Sequence, residues 1–189
     1  MGCKKFFNEG HAKKELGTKL QEADDVPAWE LESASDYSLG VVEDQEMITR
    51  QIFSPIHVDE DGNITPAGLS EATTHGLSTN RLKYISELAV INKGIDKQNL
   101  DNQNPDRKPR NFIGITEFEV SQIREITDHL GVRGLAVFDT ALENDNSHSD
   151  VFCFTSKKSW RSLRSKLIGI ANKNFRLVYI IPSQQTLEK

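Results

Sequence analysis

The stretch of sequence that decides the fold is residues 111–181, NFIGITEFEVSQIREITDHLGVRGLAVFDTALENDNSHSDVFCFTSKKSWRSLRSKLIGIANKNFRLVYII. Its short apolar runs indicate strands, and its two longer one-sided apolar patterns indicate amphipathic helices. The predicted order is strand, helix, strand, strand, helix, strand, as in the ferredoxin-like split βαβ arrangement. We therefore expect an α+β fold in which a mostly antiparallel sheet carries helices on one face.

Two helices are predicted inside this stretch. The first begins at a capping-box pattern formed by Thr116 and Glu119 and continues to Leu130. The second covers Trp160 to Ala171, where apolar residues recur at helical spacing. Both apolar stripes would be buried against the same sheet.

The preceding residues predict further elements of the same body. Alternation over residues 47–53 indicates a strand, and Pro66 suits the first position of a helix. Ser78 or Thr79 is predicted to cap another helix that extends to about Asn92. The polar residues 97–110 are expected to form a surface loop.

The length of 189 residues suits one domain with a short extension. We expect residues 1–40 to be a charged tail or docking arm, anchored by Trp29 and Leu31, and residues 41–189 to be a single domain. No apolar run approaches the roughly 18 residues of a membrane span, so no membrane association is expected. Two cysteines without a CxxC pattern favour a cytoplasmic location and argue against a cysteine-based zinc site.

The first candidate site combines His57, His75 and Arg81 with the donors of Ser78 and Thr79. A neutral imidazole can transfer protons, and a guanidinium binds phosphate well. These residue types point to a nucleotide or another phosphate-bearing substrate. The alternatives are histidines in unrelated surface loops and an arginine that pairs with an acid.

The second candidate is the loop from Asp139 to Asp150, where His148 lies near Glu143 and Asp145. This composition suits a catalytic histidine or a divalent cation, and it is equally typical of a long turn. We predict no metal site. A calcium loop beginning at His57 is disfavoured, because neither its first nor its twelfth position supplies a carboxylate. No cofactor is indicated.

Residues 157–176 carry seven cationic side chains and no acidic ones, so the rest of a chain with net charge −5 carries −12. We predict that Arg161 and Arg164 on this basic helix bind a partner protein or an anionic ligand. The alternative is that the basic face pairs with acidic loops of the same protein, internally or in a dimer. Nucleic acid is a less favoured partner, since no RNA-binding motif is present.

The residues from Pro55 to Arg81 resemble a pattern found in small uncharacterised bacterial proteins. The pattern comprises Pro-x-His, an Asp-Gly turn and Gly-Leu-Ser-x-x-Arg, and an asparagine shortly before His148 is similar to a further part of it. This resemblance implies no known activity.

A second resemblance is to ADP-ribosyltransferase-like folds, which use an Arg or His on an early strand, a Ser-Thr strand and a late Glu. Arg50, Ser78-Thr79 and Glu143 occur in that order. The resemblance implies ADP-ribosyl transfer. The chain departs from the pattern in that Ser78-Thr79 are predicted to open a helix and no aromatic turn for nicotinamide is evident.

Two functional hypotheses follow. The first is a bacterial cytoplasmic binding or accessory protein that recognises a partner protein or an anionic ligand through its basic helix. The second is an enzyme acting on a nucleotide or phosphate-bearing substrate, with His57 or His148 as general acid/base and Arg81 as the anion clamp.

Overall fold

The computed structural model describes residues 2–9 and 13–178. The strands are β1 (Met47–Ser54), β2 (Leu77–Arg81), β3 (Asn111–Glu119), β4 (Leu135–Phe138), β5 (His148–Cys153) and β6 (Phe175–Leu177). The α-helices are α1 (Cys3–Asn8), α2 (Leu16–Gln21), α3 (Val26–Trp29), α4 (Glu87–Gln103), α5 (Val120–Arg124) and α6 (Lys157–Lys173). Two 3-10 helices cover Lys13–Glu15 and Pro66–Thr73. The predicted continuation of the last strand beyond residue 178 lies outside the described residues.

The strands form one sheet in the order β4-β5-β2-β1-β3-β6, and every neighbouring pair is antiparallel. The predicted α+β class is confirmed. The second half of the chain follows the expected strand and helix order, but its strands do not pair as in a ferredoxin-like unit. β1 pairs with β3 along its whole length, and β1 and β2 together separate β3 from β5. The earlier strands thus occupy the centre of the sheet.

Helices cover both faces of the sheet rather than one. The alternation of β4 shows this directly, because Val137 packs with Leu163 of α6 while Phe138 packs on the other face with Phe6 and Trp29. Helix α4 packs beside Phe53 and Phe112 in a third cluster. Both faces of β4 are fully buried, so its run of apolar residues could not reveal which face a helix would cover.

The helix predicted from Thr116 to Leu130 is wrong over most of its length. β3 continues to Glu119, and the five residues of α5 follow it. Thr116 cannot act as a helix cap, because its backbone pairs with Arg50 and its hydroxyl donates to the Ala171 carbonyl at 2.7 Å. The predicted second helix is confirmed by α6.

The helix predicted to begin at Ser78 or Thr79 is also wrong. Both residues lie within β2, and the helix that follows is capped by Ser86, whose hydroxyl accepts from the Ala89 amide at 3.2 Å. This helix, α4, extends to Gln103, so much of the expected surface loop is helical. The strand and the Pro66 helix start predicted before it are confirmed.

The described part of the N-terminal arm, residues 2–9 and 13–40, docks on the body. The Trp29 side chain is buried as expected, but Leu31 is 75% exposed and anchors nothing. Phe6 and the half-buried Phe7 pack with the aromatic residues of β4 and β5. Buried Glu30 adds ion pairs to body arginines. This arm therefore forms one wall of the space above β5.

Candidate functional site

The site lies where β1 and β2 separate. These strands pair with each other only at Ile48–Arg81 and Thr49–Asn80, although on their other edges β1 is paired with β3 and β2 with β5. The Arg50 guanidinium lies at the point of separation, where its Nη1 donates to the Ser78 carbonyl at 3.0 Å. A buried cation is thereby placed in an opening of the sheet.

A cavity of about 510 Å³ opens beside Ser78. It is bounded by the N-terminal arm, by the chain after β4 and by β5. Its lining includes Phe7, Leu16, Tyr37, His75, Lys97, Thr140, Glu143, His148, Asp150 and Phe152. The volume and the mixture of aromatic and polar walls suit a nucleotide-sized molecule.

Ser78 and His148 meet on the wall of this cavity. The Ser78 Oγ lies 2.7 Å from the His148 Nε2, and the His148 Nδ1 lies 3.0 Å from the Thr140 carbonyl oxygen. A carbonyl only accepts, so in the neutral imidazole Nδ1 carries the proton and Nε2 accepts from the Ser78 hydroxyl. This tautomer presents the imidazole as a proton acceptor toward a cavity hydroxyl.

Asp150 completes the polar network under His148. The Thr140 hydroxyl donates to its Oδ2 at 2.8 Å, and burial raises the pKa of the Asp150 carboxyl. Gly76 permits this arrangement, since a Cβ there would lie 2.8 Å from Asp150 carbons and its φ of +93° disfavours any side chain. The Asp150 carboxylate lies 3.9 Å from the His148 Nδ1, and the Thr140 hydroxyl that donates to it also lies 3.1 Å from that nitrogen.

Three cations surround a small pocket of about 40 Å³ that adjoins the cavity at Ser78. Arg50 is 5% exposed and forms an ion pair with Glu71, yet its Nε has no hydrogen-bond partner within the described structure. Arg110 pairs with Asp101 and likewise has a buried Nε without a partner there. Two donors thus remain unsatisfied beside the pocket.

Lys97 is the third cation. Its side chain as a whole is exposed, but desolvation of the ammonium group, and then repulsion from Arg50 and Arg110, lower its pKa. Burial alone would raise the pKa of Glu71, but Arg50 outweighs it and lowers the pKa overall. The pocket therefore favours an added anion.

His57 lines this small pocket and is not among the residues lining the larger cavity. Its Nδ1 accepts from the Phe53 amide at 3.3 Å, and burial, followed by the charge of Arg50, lowers its pKa to about 3. The ring is neutral at pH 7 and holds the chain after β1. Of the two predicted histidines, His148 is the one placed for proton transfer in the cavity.

Arg81 does not reach the cavity. It is fully buried, donates to Glu46 at 2.6 and 2.8 Å, and donates to two backbone carbonyls. Asp139 lies 3.3 Å away. The alternative that Arg81 pairs with an acid therefore describes the structure, and Arg81 lines neither the cavity nor the small pocket. Thr79 is also buried, with its hydroxyl bonded to Ser149.

Of the residues predicted from sequence, Ser78 and His148 lie together on the cavity wall, while Lys97, Arg110 and Thr140 beside them were not among the predicted site residues. The basic residues within the polar stretch 97–110 were the available signal. Arg50 was marked only by the resemblance to ADP-ribosyltransferase-like folds. Arg161 and Arg164 are on α6, and neither lines this cavity.

Within residues 2–9 and 13–178, no group of three or more His, Cys, Asp or Glu side chains is arranged to hold a metal. In the loop before β5, Asp145 pairs with Lys93 at 2.5 Å. The turn at residues 59–63 is held by Asp59, which accepts from the Asp61 and Asn63 amides. In the described chain, no helix has the length and apolarity needed to cross a membrane.

Comparisons with models of protein families, with curated proteins and with solved structures found no match for this chain.

Proposed function

We propose that this chain is an enzyme that acts on a nucleotide or another phosphate-bearing substrate bound in the cavity beside β2 and β5. The observation that carries the proposal is the Arg50 guanidinium, buried with an unpaired Nε, which lines the small pocket that adjoins the cavity at Ser78. An unsatisfied buried donor costs about 1–3 kcal/mol. A phosphate oxygen would satisfy it, and Lys97 and Arg110 would add charge complementarity.

The roles of the remaining residues follow from the hydrogen-bond directions. His148 acts as the general base, because its Nε2 accepts a proton while Nδ1 is held by the Thr140 carbonyl. Ser78 either relays that proton or orients a substrate hydroxyl. The aromatic side chains of Phe7, Tyr37 and Phe152 line the part of the cavity suited to a base or another flat ring.

The resemblance to ADP-ribosyltransferase-like folds makes NAD the first dinucleotide to test. Arg50 lies on the first strand, and Ser78-Thr79 lie on a strand rather than at a helix start, so this objection to the resemblance is removed. The late acid of the pattern is supplied either by Glu143, which lines the cavity, or by Asp150 of β5, which is the strand-pairing partner of Ser78 in β2. These placements support ADP-ribosyl transfer or NAD hydrolysis as the more specific form of the proposal.

The test is turnover of a substrate panel by the full chain, with nicotinamide release from NAD and phosphate release from nucleoside triphosphates measured by chromatography. His148→Asn should reduce turnover at least 100-fold, because a general base contributes about 10²–10⁴ in rate. Lys108→Met, which removes an exposed cation that does not line the cavity, is the control and should keep full turnover. Wild-type turnover in folded His148→Asn protein would refute the assigned base.

A non-catalytic binding protein is the second candidate function. The observation that favours it is the basic face of α6, which the proposed chemistry does not use. Binding of nucleotides without turnover of any panel member would favour it over the enzyme. We place either activity in the cytoplasm, which the free thiols of buried Cys3 and Cys153 support.

A further inference from the structure

The solvent-facing side of α6 carries a cluster of cationic side chains. Five described side chains of the helix are cationic and none is acidic: Lys158, Arg161, Arg164, Lys166 and Lys173. Four of these are exposed and Arg164 is half-buried against the ring of Trp160. The apolar residues of the helix face the core, so its charges form one continuous face.

These cations lack the acidic partners that basic residues have elsewhere in the protein. Arg124 and Arg133 pair with Glu30, and Arg176 pairs with Glu87 and Glu117. None of the five cations of α6 forms an ion pair with another described residue. Lys166 donates to a backbone carbonyl instead. Internal ion pairing therefore accounts for Arg176 but not for the five cations of α6, of which Lys166 and Lys173 share a surface pocket with Glu125.

The positions of the cations leave a channel along the helix. At 100° per residue, Arg161 and Arg164 lie on one side, Lys166 and Lys173 lie on the other, and Lys158 lies between the two rows at the start of the helix. Small exposed residues, Ser165 and Gly169, lie between them, and a Cβ added to Gly169 would meet nothing within 4 Å. An extended chain can approach the helix between the two cationic rows.

We infer that this basic face binds a short acidic segment of a partner protein. Two observations favour such a segment over nucleic acid. Trp160 is 7% exposed and faces the core, so it offers no surface for base stacking. Outside residues 157–176 the chain carries −12, so a long polyanion would be repelled wherever it extends beyond α6. A short segment stays within the Debye length of about 8 Å from the cations.

The inference is independent of the chemistry in the cavity and is tested with a defined probe. A helix of 17 residues is about 25 Å long, which about eight extended residues span. The probe is a fluorescein-labelled eight-residue peptide with five Glu and three Ser, titrated by fluorescence anisotropy in 50 mM salt. Wild-type protein should bind it, and the double variant Arg161→Glu with Arg164→Glu should weaken binding at least tenfold.

The matched control is Lys14→Glu with Lys108→Glu, which makes the same change in net charge at exposed positions outside α6. It should weaken peptide binding by less than twofold. Equal weakening in both double variants would overturn the inference, because only the total charge would then matter. Tighter binding of a 20-nucleotide single strand than of the peptide would overturn it in favour of nucleic acid. Self-association in analytical ultracentrifugation that the Arg161/Arg164 variant abolishes would overturn it in favour of a second copy.

Discussion

The substitution Lys97→Met tests whether the charge of Lys97 serves to bind a ligand or to stabilise the fold. Lys97 borders both the large cavity and the small pocket, and it forms no ion pair with another described residue. Its pKa is lowered by desolvation and by Arg50 and Arg110, so the folded protein holds this charge unfavourably. Methionine keeps most of the length of the side chain and removes the charge.

The expected loss of affinity follows from Coulomb's law. A phosphate oxygen about 4 Å from an ammonium gains about 1 kcal/mol in bulk water and about 4 kcal/mol at an effective dielectric constant of 20. Lys97 is exposed, so we expect a value toward the lower end, about 1.5–2 kcal/mol, or a 10- to 30-fold weaker Kd. The conformational stability should change by less than about 0.5 kcal/mol, as for other surface substitutions.

Affinity is measured by isothermal titration of ADP and of pyrophosphate at fixed ionic strength, and stability by urea denaturation. Lys108→Met serves as the control for loss of one positive charge and should bind both ligands like wild type. Unchanged ADP affinity in Lys97→Met would refute the assignment of the small pocket as an anion site. A loss of stability above 1 kcal/mol would show that Lys97 is a structural cation instead.

Two further predictions concern pH and packing. Since the pKa of His57 falls from 6.5 to about 3 on folding, the unfolded chain binds a proton between these values that the folded chain does not. The free energy of unfolding therefore decreases as pH falls below about 6.5, by up to about 1.4 kcal/mol per pH unit from this group. Urea denaturation of His57→Asn should show a shallower dependence of this free energy on pH between pH 6 and 4. An unchanged dependence would contradict the burial of a neutral ring. In α4, Gly94→Ala should destabilise the protein by about 1–3 kcal/mol, because its Cβ would lie 2.5 Å from the Phe112 ring, whereas Gly169→Ala in α6 should stabilise by up to about 1 kcal/mol. Equal thermal midpoints of these two variants would show that α4 does not pack on Phe112.

The sequence predicted the elements whose local pattern and tertiary environment agree. Helix α6 has one apolar stripe and one core to cover, and β1 alternates as a strand should. The prediction failed at Thr116, where a capping-box pattern occurs inside a strand that tertiary pairing extends to Glu119. The predicted bounds of α4 were also wrong. The solvent face of this helix is polar, and its contact with Phe112 depends on a single glycine, Gly94. Strand pairing overrode the local pattern at Thr116, and packing against Phe112 accompanies the unpredicted part of α4.

The sequence indicated which residue types could form the candidate site, but not which side chains would contact one another. Ser78 and His148 are 70 positions apart, and only the antiparallel pairing of β2 with β5 brings them to 2.7 Å. Arg81 is predicted as the anion clamp because a guanidinium binds phosphate, and the sequence cannot show that Glu46 forms an ion pair with it. A sequence gives the charges of the side chains, whereas the register of the sheet decides which of them become ion-pair partners.

The contrast between Arg50 and Arg81 decides which arginine can serve a ligand. Both lie on neighbouring central strands and both are buried, with 5% and 0% exposure. All the directions of the Arg81 fork end on protein oxygens, so its removal would leave Glu46 buried without its main partner and would chiefly cost stability. Arg50 keeps an unpaired Nε beside a pocket that also holds Lys97. A buried charge whose hydrogen bonds are all made within the protein contributes to the fold. A buried N–H group without an acceptor in the protein can instead be explained by an acceptor on a bound anion. We therefore propose the opening between β1 and β2 as the place where a substrate, rather than the protein, completes the hydrogen bonding of Arg50.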